Sequence, residues 1–413
     1  MLIYFILALL LGICFGSLTG LIPGIHINLI AIILLGFSSS LLNFISPLTL
    51  IIFITAMAIT HTFVDFIPAI FLGAPDEDSV LSILPGHKLL LKGNAYIGII
   101  LTLYGSVTGL IIILIFTPIF IYLLPIIYPY ILRIMPIILI LVSGYLIYNE
   151  KCDIKKQGFF TFCPKKIWAL TIFLLAGFLG IATLNLPIKE PLLPLLTGLF
   201  GASNLIISIK QKTKIPKQKI FKLKHIKLRK ESFAKSTLAS IIAAPFTAFL
   251  PGLGASQAAV IGSEVTELNQ KEFLFLLGAI NTIVMGLSFI TLYSIQKTRT
   301  GAAVAISKLI PELTLNNLLF IIGTIILAGI IAFFITIFIS KFIARKIHTF
   351  NYSKLSITIL LILIFFTIYF TGFMGVLIFI ISASLGITTI LLGIRRMHLM
   401  GCLLVPSILF YIF

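Results

Sequence analysis

Runs of about 20 apolar residues recur along most of this chain, and this feature restricts its fold more than any other. A helix needs roughly 20 such residues to cross a hydrocarbon core of about 30 Å. Of the 413 residues, 60% are hydrophobic and only 10% are charged, whereas soluble globular proteins carry about 25% charged residues. The sequence therefore predicts an all-α polytopic membrane protein with about 10 to 12 transmembrane helices. It excludes soluble enzymes, nucleic-acid binders and disulfide scaffolds.

The net charge of +18 arises in loops between the apolar runs. Eleven Lys and Arg residues lie between Lys210 and Lys235, and smaller basic clusters lie at 149–166, 341–354 and 395–396. This distribution is typical of cytoplasmic loops under the positive-inside rule. It predicts a multi-pass protein of the cytoplasmic membrane, with binding of lipid headgroups by the 210–235 loop as the alternative interpretation.

Catalytic and metal-binding signatures are missing from the sequence. It contains no GxSxG, HExxH or Walker motif, and its four cysteines lack metal-ligand spacing. We therefore expect neither an enzyme nor a metal or organic cofactor.

An internal repeat is the most informative pattern in the chain. Residues 12–33 align without gaps on 240–261, so that Pro23-Gly24 falls on Pro251-Gly252. Small residues recur at every fourth position before each Pro-Gly pair, which favours close helix packing. Repeated halves with broken helices are typical of secondary transporters. The predicted organisation is a first membrane repeat at 1–207, a basic cytoplasmic loop at 208–236 and a second membrane repeat at 237–413.

The two Pro-Gly pairs predict an anion-binding site. A helix that breaks inside the bilayer frees backbone N–H groups, and a half-helix N-terminus attracts anions. The alternative is a packing kink without a ligand. The candidate substrate-binding residues flank the breaks or carry a positive charge near the second one: Pro23, Gly24, His26, Asn28, Pro251, Gly252, Gly254, Ser256 and Arg299.

Acidic residues are few, so their positions are informative. Asp65 lies inside an apolar span, four residues after His61 and on the same helical face, which suggests a proton relay, an ion pair or a structural hydrogen bond. Seven carboxylates in loops or at probable helix ends are expected to be solvated: Glu150, Asp153, Glu190, Glu231, Glu264, Glu267 and Glu272.

A second acidic group follows Asp65 in a polar loop. It comprises Asp76, Glu77, Asp78 and Ser79. These oxygens suit Na⁺, although a solvated loop tip explains them equally well. Na⁺ or H⁺ is thus the expected coupling ion. Arg299 is placed to bind a substrate carboxylate, or alternatively to pair with Asp76 or Asp78.

Four segments resemble the large membrane subunit of the tripartite tricarboxylate transporters: Gly16–Asn28, Ile67–Gly93, Phe249–Ser256 and Arg395–Gly401. The last of these is similar to the archaeal-type branch. The resemblance covers most of the chain and implies ion-coupled uptake of a carboxylate such as citrate. It also implies two partners, a small membrane subunit and an extracytoplasmic binding protein.

Two functions are compatible with these patterns. The first is a permease for a small organic anion, coupled to Na⁺ or H⁺. The alternative is a flippase for an anionic polyprenyl phosphate, which would use the same half-helix ends for a phosphate headgroup.

Overall fold

The computed structural model describes residues 2–22, 42–74, 79–150, 164–188, 190–211, 215–249, 255–266, 268–298, 300–310 and 312–413. All regular secondary structure in these ranges is helical, which confirms the all-α fold class. In chain order the α-helices are α1 (Leu2–Leu21), α2 (Pro47–Val64), α3 (Phe66–Phe71), α4 (Ile83–Leu91), α5 (Ala95–Tyr148), α6 (Pro164–Leu184), α7 (Leu192–Leu196), α8 (Ser203–Lys210), α9 (Lys230–Phe249), α10 (Ala255–Thr266), α11 (Gln270–Ile295), α12 (Gly301–Leu309), α13 (Leu315–Lys346), α14 (Tyr352–Leu391) and α15 (Gly401–Ile412).

Eight helical segments among the described residues are long and apolar enough to span a membrane. Two of them, α5 with 54 residues and α14 with 40, are much longer than one crossing requires. Helix α14 contains a non-helical residue, Gly372, with φ 65° and ψ −160°. The predicted number of about 10 to 12 crossings counts each of these long helices as two. The chain is a multi-pass membrane protein.

The described contacts divide the chain into two compact units. The first unit takes in Met1–Tyr128, Thr213–Leu250 and Gly254–Leu355, and the second consists mainly of Pro129–Lys212 and Ser356–Phe413. Each unit contains residues from both predicted membrane repeats. The predicted domain boundaries are therefore not tested by this division and stay a prediction.

The small residues of α1 form its contact with α2, as their four-residue spacing predicts. A Cβ atom added at Gly12 would lie 2.5 Å from the carbonyl oxygen of Phe53, and one at Gly20 would lie 2.9 Å from the Cβ of Val64. Gly16, between them, is closer still to the α2 backbone. Larger residues here would force the two helices apart, so the glycines set the distance at which α1 can pack.

Two largely buried segments, α2–α3 and α11, occupy the centre of the first unit, and 94% of the apolar window in each is buried. Helix α11 meets α5 backbone to backbone, because a Cβ atom at Gly105 or Gly278 would collide with the opposing main chain. The hydroxyl of Ser106 donates to the carbonyl of Gly278 at 3.1 Å. Only glycine allows so close an approach at these positions.

The bounds of two helices agree with the internal repeat. An offset of 228 residues carries Leu2–Leu21 onto Lys230–Phe249, which are the bounds of α1 and α9. The second Pro-Gly pair itself lies outside the described residues, between Phe249 and Ala255. The predicted break and the duplication both stay predictions.

Candidate functional site

Asp65 occupies the junction between α2 and α3. Its side chain is buried, with 2% of its surface exposed. The residue keeps helical dihedral angles (φ −59°, ψ −23°), but the hydrogen-bond ladder is interrupted because Pro68 has no N–H to donate to the carbonyl of Val64. The carbonyl oxygen of Val64 therefore lacks its usual helical hydrogen-bond donor, one residue before a buried carboxylate.

Asn281 on α11 contacts this carboxylate directly. Its Nδ2 donates to Oδ2 of Asp65 at 2.9 Å, and the side chain of Asn281 is itself 2% exposed. The sequence analysis missed Asn281. An amide inside the apolar run of α11 was the available signal, but its pairing with a residue 216 positions earlier follows only from the packing of α2 on α11.

His61 lies one helical turn before Asp65 and binds α1. Its Nδ1 is 3.0 Å from Oγ1 of Thr19, whose hydroxyl also donates to the carbonyl of Gly16 at 3.1 Å. Because a hydroxyl has a single hydrogen, the bond to Gly16 makes Thr19 the acceptor and Nδ1 of His61 the donor. The described contacts of His61 and Asp65 therefore lead to different helices, α1 and α11.

A further hydroxyl pair joins α2 to α11, since Oγ1 of Thr62 lies 3.4 Å from Oγ1 of Thr282. Together these side chains form a polar strip between apolar helices, which we call the polar seam. Its members are Thr19, His61, Thr62, Asp65, Asn281 and Thr282. All six are buried.

The structure describes three of the predicted site residues, and it joins only Asp65 to the seam by a described contact. Ser79 is buried, and its carbonyl accepts from the backbone and the hydroxyl of Ser82. Ser256 is buried in the first turn of α10. The others lie outside the described residues: Pro23, Gly24, His26, Asn28, Asp76, Glu77, Asp78, Pro251, Gly252, Gly254 and Arg299.

Described residues close in sequence to two of these undescribed segments contact Asp65 or helix α11. A Cβ atom at Gly20, three residues before Pro23, would lie 3.2 Å from the backbone nitrogen of Asp65. On the other side, Oγ of Ser288 on α11 lies 3.0 Å from Oγ1 of Thr300, which also accepts from the backbone N–H of Ala303 and so caps α12. Thr300 directly follows Arg299.

A second buried carboxylate, Glu150, corrects the expectation of a solvated side chain. It is 4% exposed. Its Oε2 accepts from Nε of Arg395 at 2.8 Å and lies 2.8 Å from Nε2 of His398. We call these three residues the ion cluster. Burial by itself raises the pKa of the Glu150 carboxyl, but the hydrogen bonds from His398 and Arg395 outweigh it, so the net pKa is lowered.

Glu272 is the other carboxylate for which the expectation of solvation was wrong. It is 6% exposed and lies in the first turn of α11. Its Oε2 accepts from the backbone N–H of Asn269, whose side chain caps the helix in return. The residue therefore stabilises the start of α11 as part of a capping box.

Arg396 shows that the basic pair at 395–396 is not simply a solvated flank. It is 7% exposed, and its Nη2 donates to the carbonyls of Leu199 and Phe200 at 3.0 and 2.6 Å. Nη2 also lies 3.0 Å from Oγ of Ser203. These acceptors are in and just after a π-helical turn, Thr197–Ala202. The guanidinium thus ties the end of the chain to an irregular turn of the second unit.

Comparison with known proteins agrees with this picture of a membrane-embedded chain. A family model described as the tripartite tricarboxylate transporter TctA family matches residues 6–401. An uncharacterized protein of Methanocaldococcus jannaschii is 29% identical over 421 residues, which cover 98% of this chain and 99% of the relative. No solved structure matches the chain.

Proposed function

Because this chain belongs to the tripartite tricarboxylate transporter TctA family, we propose that it is the permease of a small organic anion, with a carboxylate as substrate and Na⁺ or H⁺ as coupling ion. The family makes the chain a component of membrane transport. The substrate, the coupling ion and the placement in the cytoplasmic membrane belong to the proposal.

The observation that carries the proposal is the burial of Asp65 against Asn281, between two helices that are themselves buried. A carboxylate at this depth costs several kcal/mol unless a cation or a proton neutralises its charge. Intramembrane carboxylates accordingly mark ion and proton pathways. Asp65 is therefore our candidate for the group that binds the coupling ion.

The surroundings of Asp65 suit a small hard cation. The carbonyl of Val64 is released from the helix by Pro68, and the hydroxyl of Thr62 lies on the same helix as Asp65. Na⁺ prefers oxygen ligands of this kind, and discontinuous helices supply such carbonyls in secondary transporters. The side chains of Asp76, Glu77, Asp78 and Ser79 remain part of the proposed coupling region.

We assign the substrate to the predicted helix breaks. The Pro251-Gly252 pair predicts a half-helix N-terminus, and Arg299 directly before the cap of α12 would supply a positive charge for a carboxylate. The same role is proposed for the segment from Pro23 to Asn28. The family also supports a small membrane subunit and an extracytoplasmic binding protein as partners. It lends no support to the flippase alternative.

Ligand-dependent thermal unfolding of the purified chain tests the proposal. We expect citrate, succinate or tartrate to raise the unfolding temperature of the wild type, and either Na⁺ or acidification to increase that rise. Asp65→Asn should abolish the part that depends on Na⁺ or pH. Glu272→Gln is the matched control, since it also replaces a buried carboxylate by an amide but preserves a capping box.

The possible results separate the parts of the proposal. Stabilisation of the wild type by none of the three carboxylates would contradict the proposed substrate class. An Asp65→Asn variant that keeps the full ion or pH dependence would remove Asp65 from the coupling role while leaving the transport of a carboxylate intact.

A further inference from the structure

The basic loop before α9 is held in place along residues 215–230. At its start, the buried side chain of Gln218 accepts from the backbone N–H of Ala95 at 3.0 Å and donates to the carbonyl of Leu90 at 3.0 Å. The backbone N–H of Lys219 donates to the carbonyl of Gly93 at 2.7 Å. This part of the loop is therefore fixed to the turn between α4 and α5.

The second half of the loop is anchored as well. The hydroxyl of Tyr104 on α5 donates to the carbonyl of Leu223 at 3.1 Å, and Ile226 is 4% exposed. With its backbone fixed, the loop presents a row of exposed basic side chains, which we call the basic strap: Lys217, Lys219, Lys222, Lys224, Lys227, Arg229 and Lys230.

An apolar groove begins where the basic strap enters α9. Its volume is about 470 Å³. The lining residues come from α5, α9, α11, α13 and the loop before α9, and they include Tyr104, Val107, Leu228, Phe233, Phe275 and Phe334. The ring of Phe233 packs edge-on against Phe275, with the ring centroids 5.4 Å apart. The groove is thus a formed feature of the first unit.

The basic side chains and the groove adjoin each other in the chain. Leu228 and Phe233 line the groove, while Lys227, Arg229 and Lys230 lie beside or between them and are exposed. One acidic residue, Glu231, stands next to these three cations. Three exposed cations therefore flank lining residues of the groove in the sequence.

A second groove in the same unit shows that this charge is not a general property of its apolar surface. It has a similar volume of about 540 Å³ and is lined by residues of α1, α2 and α13: Leu2, Phe5, Ile6, Leu9, Ile52, Asn316, Leu319, Phe320, Gly323, Thr324 and Leu327. Neither groove is lined by a charged residue, and none of the second groove's lining residues has a basic neighbour in the sequence. Only the first of these two grooves adjoins the basic strap.

From this juxtaposition we infer that the first groove binds an anionic phospholipid. One acyl chain lies along the aromatic and aliphatic side chains of the groove, and the phosphate is bound by Lys227, Arg229 and Lys230. Apolar surface attracts any lipid, whereas three adjacent cations discriminate in favour of an anionic headgroup. This site is independent of the polar seam and does not rest on the proposed transport function.

Lipid titration of the purified full chain in detergent tests the site. We expect dioleoylphosphatidylglycerol to raise the unfolding temperature saturably and dioleoylphosphatidylcholine to have a much smaller effect. The variant K227Q/R229Q/K230Q should bind phosphatidylglycerol about 100-fold more weakly, since each basic side chain near an anionic surface contributes about fivefold. The matched control K341Q/R345Q/K346Q removes the same two Lys and one Arg from exposed positions near the end of α13 and should bind as the wild type does.

A second variant tests the groove without changing any charge. Val107→Trp fills part of the groove and should also weaken phosphatidylglycerol binding, while leaving any response to soluble glycerol phosphate unchanged. Equal stabilisation by both lipids, or equal losses in the two triple variants, would overturn the site. Undiminished lipid binding by Val107→Trp would overturn the groove as the place of the acyl chain.

Discussion

Asp65 and Glu150 are both carboxylates withdrawn from solvent, at 2% and 4% exposure, yet the structure surrounds them with different chemistry. The described partner of Asp65 is the neutral amide of Asn281, on a helix that is distant in sequence. The described partners of Glu150 are a guanidinium and an imidazole from one short segment, Arg395–His398. Among the described hydrogen bonds, the carboxylate of Asp65 accepts from an uncharged amide and that of Glu150 accepts from cationic or ionisable groups.

The two sets of described contacts differ in the free energy that their loss should cost. Breaking a buried ion pair by removing one partner costs about 3–5 kcal/mol, because the remaining charge is left without compensation. A single hydrogen bond between membrane helices contributes about 0.6–1.7 kcal/mol. We therefore expect the loss of the Asn281 amide to cost less stability than the loss of the Glu150 carboxylate.

The largest effect is expected from Glu150→Ala. The substitution leaves Arg395 and His398 without their carboxylate, and we expect it to destabilise the protein by about 3–5 kcal/mol. Thermal unfolding in detergent measures the effect. Glu231→Ala, at an exposed carboxylate in the first turn of α9, is the control and should change stability little. A Glu150→Ala variant as stable as this control would show that the ion cluster does not stabilise the second unit.

Gly16→Ala should have the next largest effect, because its Cβ would collide with the carbonyl of Met57 on α2. Overpacking of this kind costs about 1–3 kcal/mol. The displacement of α1 should also weaken the contact between Thr19 and His61. Gly323→Ala is the matched control, since no atom lies within 4 Å of the added Cβ. If the two variants unfold at the same temperature, the close packing of α1 on α2 is wrong.

Asn281→Ala removes the amide donor of Asp65 and directly tests the comparison between Asp65 and Glu150. We expect a loss of about 1–2 kcal/mol in stability, at the upper end for an interhelical hydrogen bond because the acceptor is a carboxylate. Thr282→Val, whose hydroxyl lies at 3.4 Å from that of Thr62, should cost less. Should Asn281→Ala instead destabilise as strongly as Glu150→Ala, the two carboxylates would not differ in the way proposed.

The smallest expected effect is a dependence on pH. The lowered pKa of Glu150 means that its ion pairs contribute stability above the ordinary pKa of 4.5, and that this contribution is lost as the pH falls through the lower value in the folded protein. The unfolding temperatures of the wild type and of Glu150→Gln, measured from neutral pH to below 4.5, should therefore converge on acidification. Parallel curves over that range would contradict the assignment.

The sequence is sufficient to predict the fold class, the glycine contact of α1 and the burial of Asp65, because each follows from local patterns. Apolar runs of membrane length specify helices, and small residues at every fourth position specify a close helix contact. A carboxylate inside an apolar run is expected to face the interior of the helix bundle. These features require no knowledge of which helices are neighbours.

The partners of the buried carboxylates could not be predicted in this way. Asn281 reaches Asp65 across 216 residues, and Arg395 reaches Glu150 across 245. Glu150 follows the end of α5, where charge is normally solvated, so its burial depends entirely on how Arg395–His398 folds back. The predicted anion site cannot be compared in the same way, since most of its residues lie outside the described ranges.

The glycine contact between α5 and α11 has a mechanical consequence. Where two main chains touch, no side chain stands between them that could change rotamer, so α5 and α11 can slide or tilt only as a pair. Helix α11 carries Asn281, and any displacement that follows ion binding at Asp65 would thus be passed to α5. Spin labels on these two helices would keep a constant separation throughout a transport cycle, even while labels on α2 and α5 moved apart.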